Sequence, residues 1–362
     1  MLASGRVSIL QGYRGLVAFM IAISHLCDVY LRHGVEALAP IVEVGRIGGV
    51  DFFFVLSGFL IYRTYAKHVR NTDKAVDFLK RRLIRIYPLL WFFTLLSLPC
   101  YLIFSSLGEG HELQPAVIFN SLLLFPSTDK PILGAMWSLS HVVLFYLVFF
   151  AYMLRPRAIG LAIALWSALI GLHLIMGGAP GLSAPLAKFL MSTFNLEFLI
   201  GCLLAEFTKR TRVGGGAWWV LAGVALFITS WVNHGHVLGF DIRTPLYTLA
   251  SCALIVGALS IESKRRVSLP PLIDMLGDAS YAMIVINLPV IVACTASLAY
   301  IGLLEAIPFA ITFPIVLLAV VVASVLVHLY IERPLINLFR NILDFITSLY
   351  GRVDPRKREG SL

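Results

Sequence analysis

Ten stretches of about 20 mainly apolar residues recur along this 362-residue chain. They lie near 10–30, 46–66, 84–106, 132–154, 157–177, 187–207, 216–234, 243–261, 278–300 and 308–331. A helix of about 20 residues reaches across the roughly 30 Å hydrocarbon core of a bilayer. Lipid offers a backbone no hydrogen-bond partners, so apolar runs of this length are read as membrane-spanning helices. The expected class is therefore all-α, a polytopic integral membrane protein with about ten transmembrane helices. Composition agrees. Hydrophobic residues are 59% and charged residues 14%, against roughly 45–50% and 25% in soluble domains, which leaves more apolar surface than one core can bury. The first stretch is not read as a cleaved leader, because Arg14, His25 and Asp28 interrupt it and no small-residue cleavage site follows. Residues 115–125 are apolar but too short to cross, and are expected to be interfacial or re-entrant.

The loops orient these spans. The net charge of +9 would suggest nucleic acid in a soluble protein, but here its distribution follows the membrane. With the N-terminus inside, 24 of the 29 Lys and Arg fall on the inner side, leaving Arg32, Arg46, Lys130, Lys188 and Arg243 outside. That asymmetry fits ten spans with both termini cytoplasmic and removes the motive for nucleic-acid binding. Residues 1–334 then form the membrane-embedded domain. Beyond them, Leu335, Leu338, Phe339, Ile342, Phe345, Ile346 and Leu349 recur at helical spacing. Residues 335–362 are read as an amphipathic interfacial helix and a disordered basic tail. No stretch reads as an appended soluble domain or an internal repeat. The five cysteines, Cys27, Cys100, Cys202, Cys252 and Cys294, are scattered through apolar runs. They suit packing rather than a disulfide framework, and no metal site is expected.

Ionisable groups within membrane spans are costly, so each is a candidate for function, weighed against a buried pair that fixes helix packing. His25 follows Arg14 by eleven residues. At 100° per residue that is within 20° of a whole number of turns, so the two share a helix face roughly 16 Å apart. Asp28, three residues on, lies near the same face and could orient the imidazole. Asp51 opens the second span at a comparable depth. It is either half of a structural pair or a second group able to orient His25. Arg82 and Arg85, three apart at the start of the third span, present forks suited to phosphate oxygens, with positive-inside anchoring as the alternative. His141, Glu197, His328 and Glu332 are weaker candidates that read more readily as structural.

Several of these pieces, taken in order, resemble the acyltransferase-3 family of bacterial membrane O-acyltransferases. They are Tyr13-Arg14-Gly15-Leu16 with His25; Gly49 to Ile61 (GVDFFFVLSGFLI); and Arg82-Leu83-Ile84-Arg85-Ile86-Tyr87-Pro88. Trp137-Ser138-Leu139-Ser140 with Phe145-Tyr146 follows, then Phe198-Leu199-Ile200-Gly201, Ser280-Tyr281 and Glu332-Arg333-Pro334. The resemblance implies acyl transfer, usually of acetyl, from acyl-CoA to a sugar hydroxyl of an exopolysaccharide, O-antigen or lipid-linked glycan precursor at the inner membrane. It implies no tightly bound cofactor, the acyl-CoA being a co-substrate. Carried over by position, His25 would be catalytic and Arg14, Arg82 and Arg85 would serve the donor; on its own chemistry Asp51 is counted with His25 as catalytic, since it or Asp28 could hold the imidazole's tautomer. Asp28, Trp137, His141, Glu197 and Tyr281 would be acceptor-side or supporting residues. The chain departs from the family twice. Val142 stands where a Glu is common, and Asn287-Leu288-Pro289 stands where the family often has His-x-Pro. Asn exchanges no proton near neutral pH, so no acid/base role passes to position 287. The competing class is a glycan or lipid transporter, disfavoured because the sequence shows neither repeated halves nor broken helices.

Overall fold

The computed structural model describes residues 7–38, 47–104, 108–176, 184–211, 213–232, 236–237, 240–265 and 267–353. Eight helical stretches among them are long and apolar enough to cross a membrane. Two further apolar helices, Gly49–Tyr65 and Gly216–Val232, have 17 residues each, about 25 Å of rise and the lower end of what spans. Each of the ten apolar stretches is thus helical, and the protein is an all-α polytopic membrane protein. In chain order we label α1 (Ser8–Arg32), α2 (Gly49–Tyr65), α3 (Thr72–Ile103), α4 (Pro115–Leu123) and α5 (Trp137–Leu154). There follow α6 (Pro156–Ile175), α7 (Pro185–Leu190), α8 (Phe194–Arg210), α9 (Gly216–Val232) and α10 (Arg243–Lys264). The last are α11 (Pro271–Asp278), α12 (Ser280–Tyr300), α13 (Leu303–Ala306), α14 (Phe309–Val327) and α15 (Arg333–Val353). A two-residue antiparallel ribbon pairs Val237 with Phe240 between α9 and α10.

The outer surface is apolar where lipid would lie. Leu161, Leu165, Leu169 and Leu172 form an exposed stripe along α6, at the spacing of one helix face. Inside, hydroxyls close on their own helices. Ser121, Ser167, Thr208, Thr248, Ser251, Thr295 and Ser324 all donate to the carbonyl four residues back, which satisfies them where no water reaches.

Close helix crossings rest on glycines. A Cβ at Gly58 of α2 would collide with the Phe198 carbonyl of α8, and one at Gly201 would collide with the Val55 carbonyl. The Gly in VLSGF and the Gly in FLIG are therefore two sides of one contact, which lets the backbones approach as small residues do in membranes. Gly15 of α1 meets α11 in the same way, its Cβ falling 2.9 Å from the Gly277 nitrogen.

Three elements differ from their sequence expectation. The third span begins at Thr72, capped by the Asn71 side chain, not near 84. Arg82 and Arg85 therefore sit well inside a 32-residue helix rather than at its start. The sixth stretch is broken between α7 and α8, whereas the sequence suggested no broken helix. Asn195 makes the break tolerable by donating to the carbonyls of Phe189 and Leu190 at 2.8 and 3.2 Å. The last span runs through a π-turn, His328–Glu332, directly into α15. That helix packs on α3, with Trp91 and Phe339 rings 6.1 Å apart. The expected basic tail, residues 354–362, lies outside the described residues.

Candidate functional site

A cavity of about 690 Å³ lies between α1, α2, α3, α5, α12 and the π-turn. Arg14, His25, Arg82, Arg85, Trp137 and Tyr281 all line it. These come from four helices and were each singled out separately in the sequence. Arg14 and His25 reach one cavity because eleven residues return α1 to the same face, and because the Gly15–Gly277 contact seats α1 against α11. Arg81 and Arg333 add positive charge to the lining and Asp278 a carboxylate, so one end of the cavity is strongly basic.

His25, roughly 16 Å along α1 from Arg14, lines the cavity toward its other end. Its Nδ1 lies 2.5 Å from Oδ1 of Asn287, which is itself wholly buried. The sequence reading expected that contact from Asp51 or Asp28, and this is corrected. Asp28 is carried outward and pairs with Arg32 at 3.0 Å. Asp51 is buried in the first turn of α2, where the exposed N–H groups and helix dipole favour a carboxylate, and it does not line the cavity.

At the basic end a chain of polar contacts joins segments far apart in sequence. Arg14 donates to Gln11 Oε1 at 2.9 Å and to Ser280 Oγ at 3.0 Å, and Gln11 Nε2 donates to Asp278 at 2.8 Å. Asp278 lies 3.8 Å from Arg333, whose Nε donates to His328 Nε2 at 3.1 Å. An arginine is always a donor, so Nε2 of His328 accepts and its Nδ1–H donates to Glu332, 2.6 Å away. Glu332 also pairs with Arg85. His328 and Glu332, four apart, would meet in an ordinary helix; the π-turn, with its extra residue per turn, is what also brings Arg333, five residues on, back over the imidazole. Arg85 lies over the Tyr281 ring at 5.6 Å, and Tyr281 donates to the Ile86 carbonyl at 2.7 Å. Arg82 lies between the rings of Phe78 and Tyr146, at 6.0 and 5.7 Å, and has no acidic partner among the described residues. Its charge faces the cavity and its flat faces rest on aromatics.

Two remaining candidates lie outside the cavity. His141 is buried, with Nδ1 2.9 Å from Asn195 Oδ1 and its ring 4.3 Å from that of Phe189. Glu197 is buried in the first turn of α8, midway along the broken sixth span Pro185–Arg210, and accepts from Thr248 at 3.0 Å. Sequence reasoning did not assign Gln11, Asp278, Ser280, Asn287 or Arg333 to the site. Gln11 had a local signal, one turn before Arg14. Arg333 and Ser280 stood in family motifs without a role.

Residues 7–329 match the acyltransferase domain family. The chain is 31% identical over 266 residues to the exopolysaccharide production protein ExoZ of Rhizobium meliloti (strain 1021), covering 70% of this chain and 78% of that one. It is 24% identical over 320 residues to the acyltransferase MdmB of Streptomyces mycarofaciens, covering 79% of each. Identity to the O-acetyltransferase OatA of Staphylococcus aureus (strain NCTC 8325 / PS 47) is 25% over 318 residues, 78% of this chain but only 50% of that protein. No solved structure matches.

Proposed function

We propose, from the premise that this chain belongs to the acyltransferase domain family and is an acyltransferase, that it moves an acetyl group from acetyl-CoA to a sugar hydroxyl of an exopolysaccharide or its lipid-linked precursor. The observation that carries this reading is one cavity with five arginines, Arg14, Arg81, Arg82, Arg85 and Arg333, at its basic end and a histidine at the other. Phosphates favour Arg forks, so the donor nucleotide sits at the mouth near Arg82, Arg85 and Arg14. The roughly 16 Å along α1 from Arg14 to His25 suits an extended pantetheine arm. The thioester then meets the acceptor beside His25. The imidazole removes the proton from the sugar hydroxyl, and the oxygen adds to the thioester carbonyl. The tetrahedral intermediate collapses with loss of the CoA sulfur, which takes the proton back from His25. We read the transfer as direct, since among the described residues no Ser or Cys lining the cavity is hydrogen-bonded to a base in the manner of an activated nucleophile. The names of ExoZ and OatA support a glycan acceptor. Trp137, 40% exposed and lining the same cavity, offers the aromatic face on which a sugar ring stacks.

The test is purified protein in lipid with acetyl-CoA and a lipid-linked oligosaccharide. Free thiol should appear only with both substrates, with a matching acetyl increment on the glycan. Glycan export without acetylation would sink the proposal. The placement is the inner membrane with both termini cytoplasmic, following the charge asymmetry. Reporter fusions should read cytoplasmic at Asn71 and Gly214 and periplasmic at Gly110. Any reversal would break the ten-span count.

A further inference from the structure

We infer that Asn287 is the positioning residue for His25: it holds the imidazole as the Nδ1–H tautomer, leaving Nε2 to receive the hydroxyl proton. This rests on the reading of His25 as the base. The orientation of the Asn287 amide is fixed by its surroundings. Its nitrogen lies 2.8 Å from the Met283 carbonyl and 2.9 Å from the Ile284 carbonyl, both pure acceptors. The amide flipped end for end would set its oxygen against two carbonyls and lose both bonds. The oxygen therefore faces His25, and the ring nitrogen 2.5 Å from it must be the donor. The proton sits on Nδ1, and Nε2 carries the lone pair. Among the described residues Nε2 has no protein partner, and the ring lines the cavity.

The partner's chemistry matters as much as its geometry. Asn287 is wholly buried, where an unpaired carboxylate would be expensive. It accepts a hydrogen bond but takes up no proton, so the proton won at Nε2 leaves by Nε2 and returns to the departing sulfur. His328 in the same cavity shows the contrasting design. Its Nδ1–H faces the Glu332 carboxylate and its Nε2 is occupied by Arg333, so it has no lone pair to offer a substrate.

The experiment has two independent readouts. Solid-state NMR of 15N-histidine-labelled protein in lipid, with the His25→Gln spectrum identifying the His25 signals, reports which ring nitrogen bears the proton. Steady-state transfer from acetyl-CoA reports kcat and KM. In Asn287→Leu the Nδ1–H signature should be lost or mixed with the other tautomer. kcat should fall by about 10²-fold, the low end of what a general base supplies, with KM for acetyl-CoA unchanged. Asn287→Ala should behave alike if the larger side chain prevents folding. Asn287→Asp keeps an acceptor oxygen and should restore the Nδ1–H signature but not the full turnover, because it places a costly, proton-accepting carboxylate at a wholly buried position. An unchanged Nδ1–H signature in the Leu or Ala variant would overturn the proposal whatever His25 does. A lost signature with unchanged kcat would overturn it too, and the kcat of His25→Gln separately shows whether the base assignment itself fails.

Discussion

His25 and His141 are held alike and placed differently. Each meets an asparagine oxygen through Nδ1, at 2.5 Å from Asn287 and 2.9 Å from Asn195, and each asparagine donates to two backbone carbonyls. The His25 pair borders the cavity. The His141 pair closes the break between α7 and α8, its imidazole within 6.2 Å of the rings of Phe54, Trp137, Phe189 and Phe194. A tautomer-fixing hydrogen bond is therefore not a mark of catalysis, since the same device pins a helix break. What separates the two is access: a base needs a lone pair that a hydroxyl can reach.

The comparison is broken most directly by exchanging each histidine for glutamine. His25→Gln should cut turnover by about 10²–10⁴-fold, the range that general-base catalysis supplies, with donor affinity nearly intact. His141→Gln should leave turnover within a few-fold and act on stability instead. Equal losses of kcat in both variants, or a near-normal rate for His25→Gln, would collapse the distinction.

Smaller effects belong to the basic end. Arg82→Ala or Arg85→Ala should weaken CoA binding by about 1.5–3 kcal/mol per lost charge-assisted contact, measured by titration with CoA. Lys should restore only part of it, for want of the planar fork. Unchanged affinity in both would make these residues anchors. Glu332→Gln removes the buried countercharge of Arg85 and leaves one acceptor oxygen for two donors, Arg85 and the Nδ1–H of His328. Thermal unfolding should show a loss of about 1–3 kcal/mol, less than for a fully buried pair because Arg85 is 33% exposed and can reach the cavity. No loss would mean that the chain from Arg14 to Arg85 does not stiffen the site.

The smallest effect lies outside the membrane helices. Lys130 hydrogen-bonds Glu109 at 2.7 Å and holds its carboxyl below the ordinary carboxylate range. A depressed carboxylate contributes stability above its unfolded value, and the contribution is lost as pH falls through the folded one. Both side chains are largely exposed, so less than about 1 kcal/mol is at stake. Hydrogen exchange at residues 108–112, corrected for intrinsic rate, should lose protection below about pH 4. An equal loss in Lys130→Met at neutral pH would confirm the cause.

Much of this could be read before any coordinates. Continuous apolar runs dictate helices because lipid leaves the backbone no other partner, and the cavity does receive both Arg14 and His25, as a period of 3.6 requires. The break at α7–α8 could not be read, because Pro185 to Leu190 is as apolar as a spanning helix and the residue that tolerates the break, Asn195, acts through its side chain. Asp28 and Asp51 were plausible partners for His25 on sequence proximity and depth. They were displaced because α12, not α2, presents the polar group at that height of α1.

The sequence by itself determined the helices, their polar faces and which side chains could carry chemistry, because these depend on neighbours three or four residues away. The tertiary structure alone decided that Asn287 meets His25, that Glu332 holds Arg85, and that His141 faces aromatic rings rather than the cavity. Those pairings join residues brought together only by helix crossings, and the crossings depend on how closely backbones approach, as at Gly15–Gly277 and Gly58–Phe198. Periodicity along a chain fixes the face on which a residue lies and carries no information about which helix that face will meet.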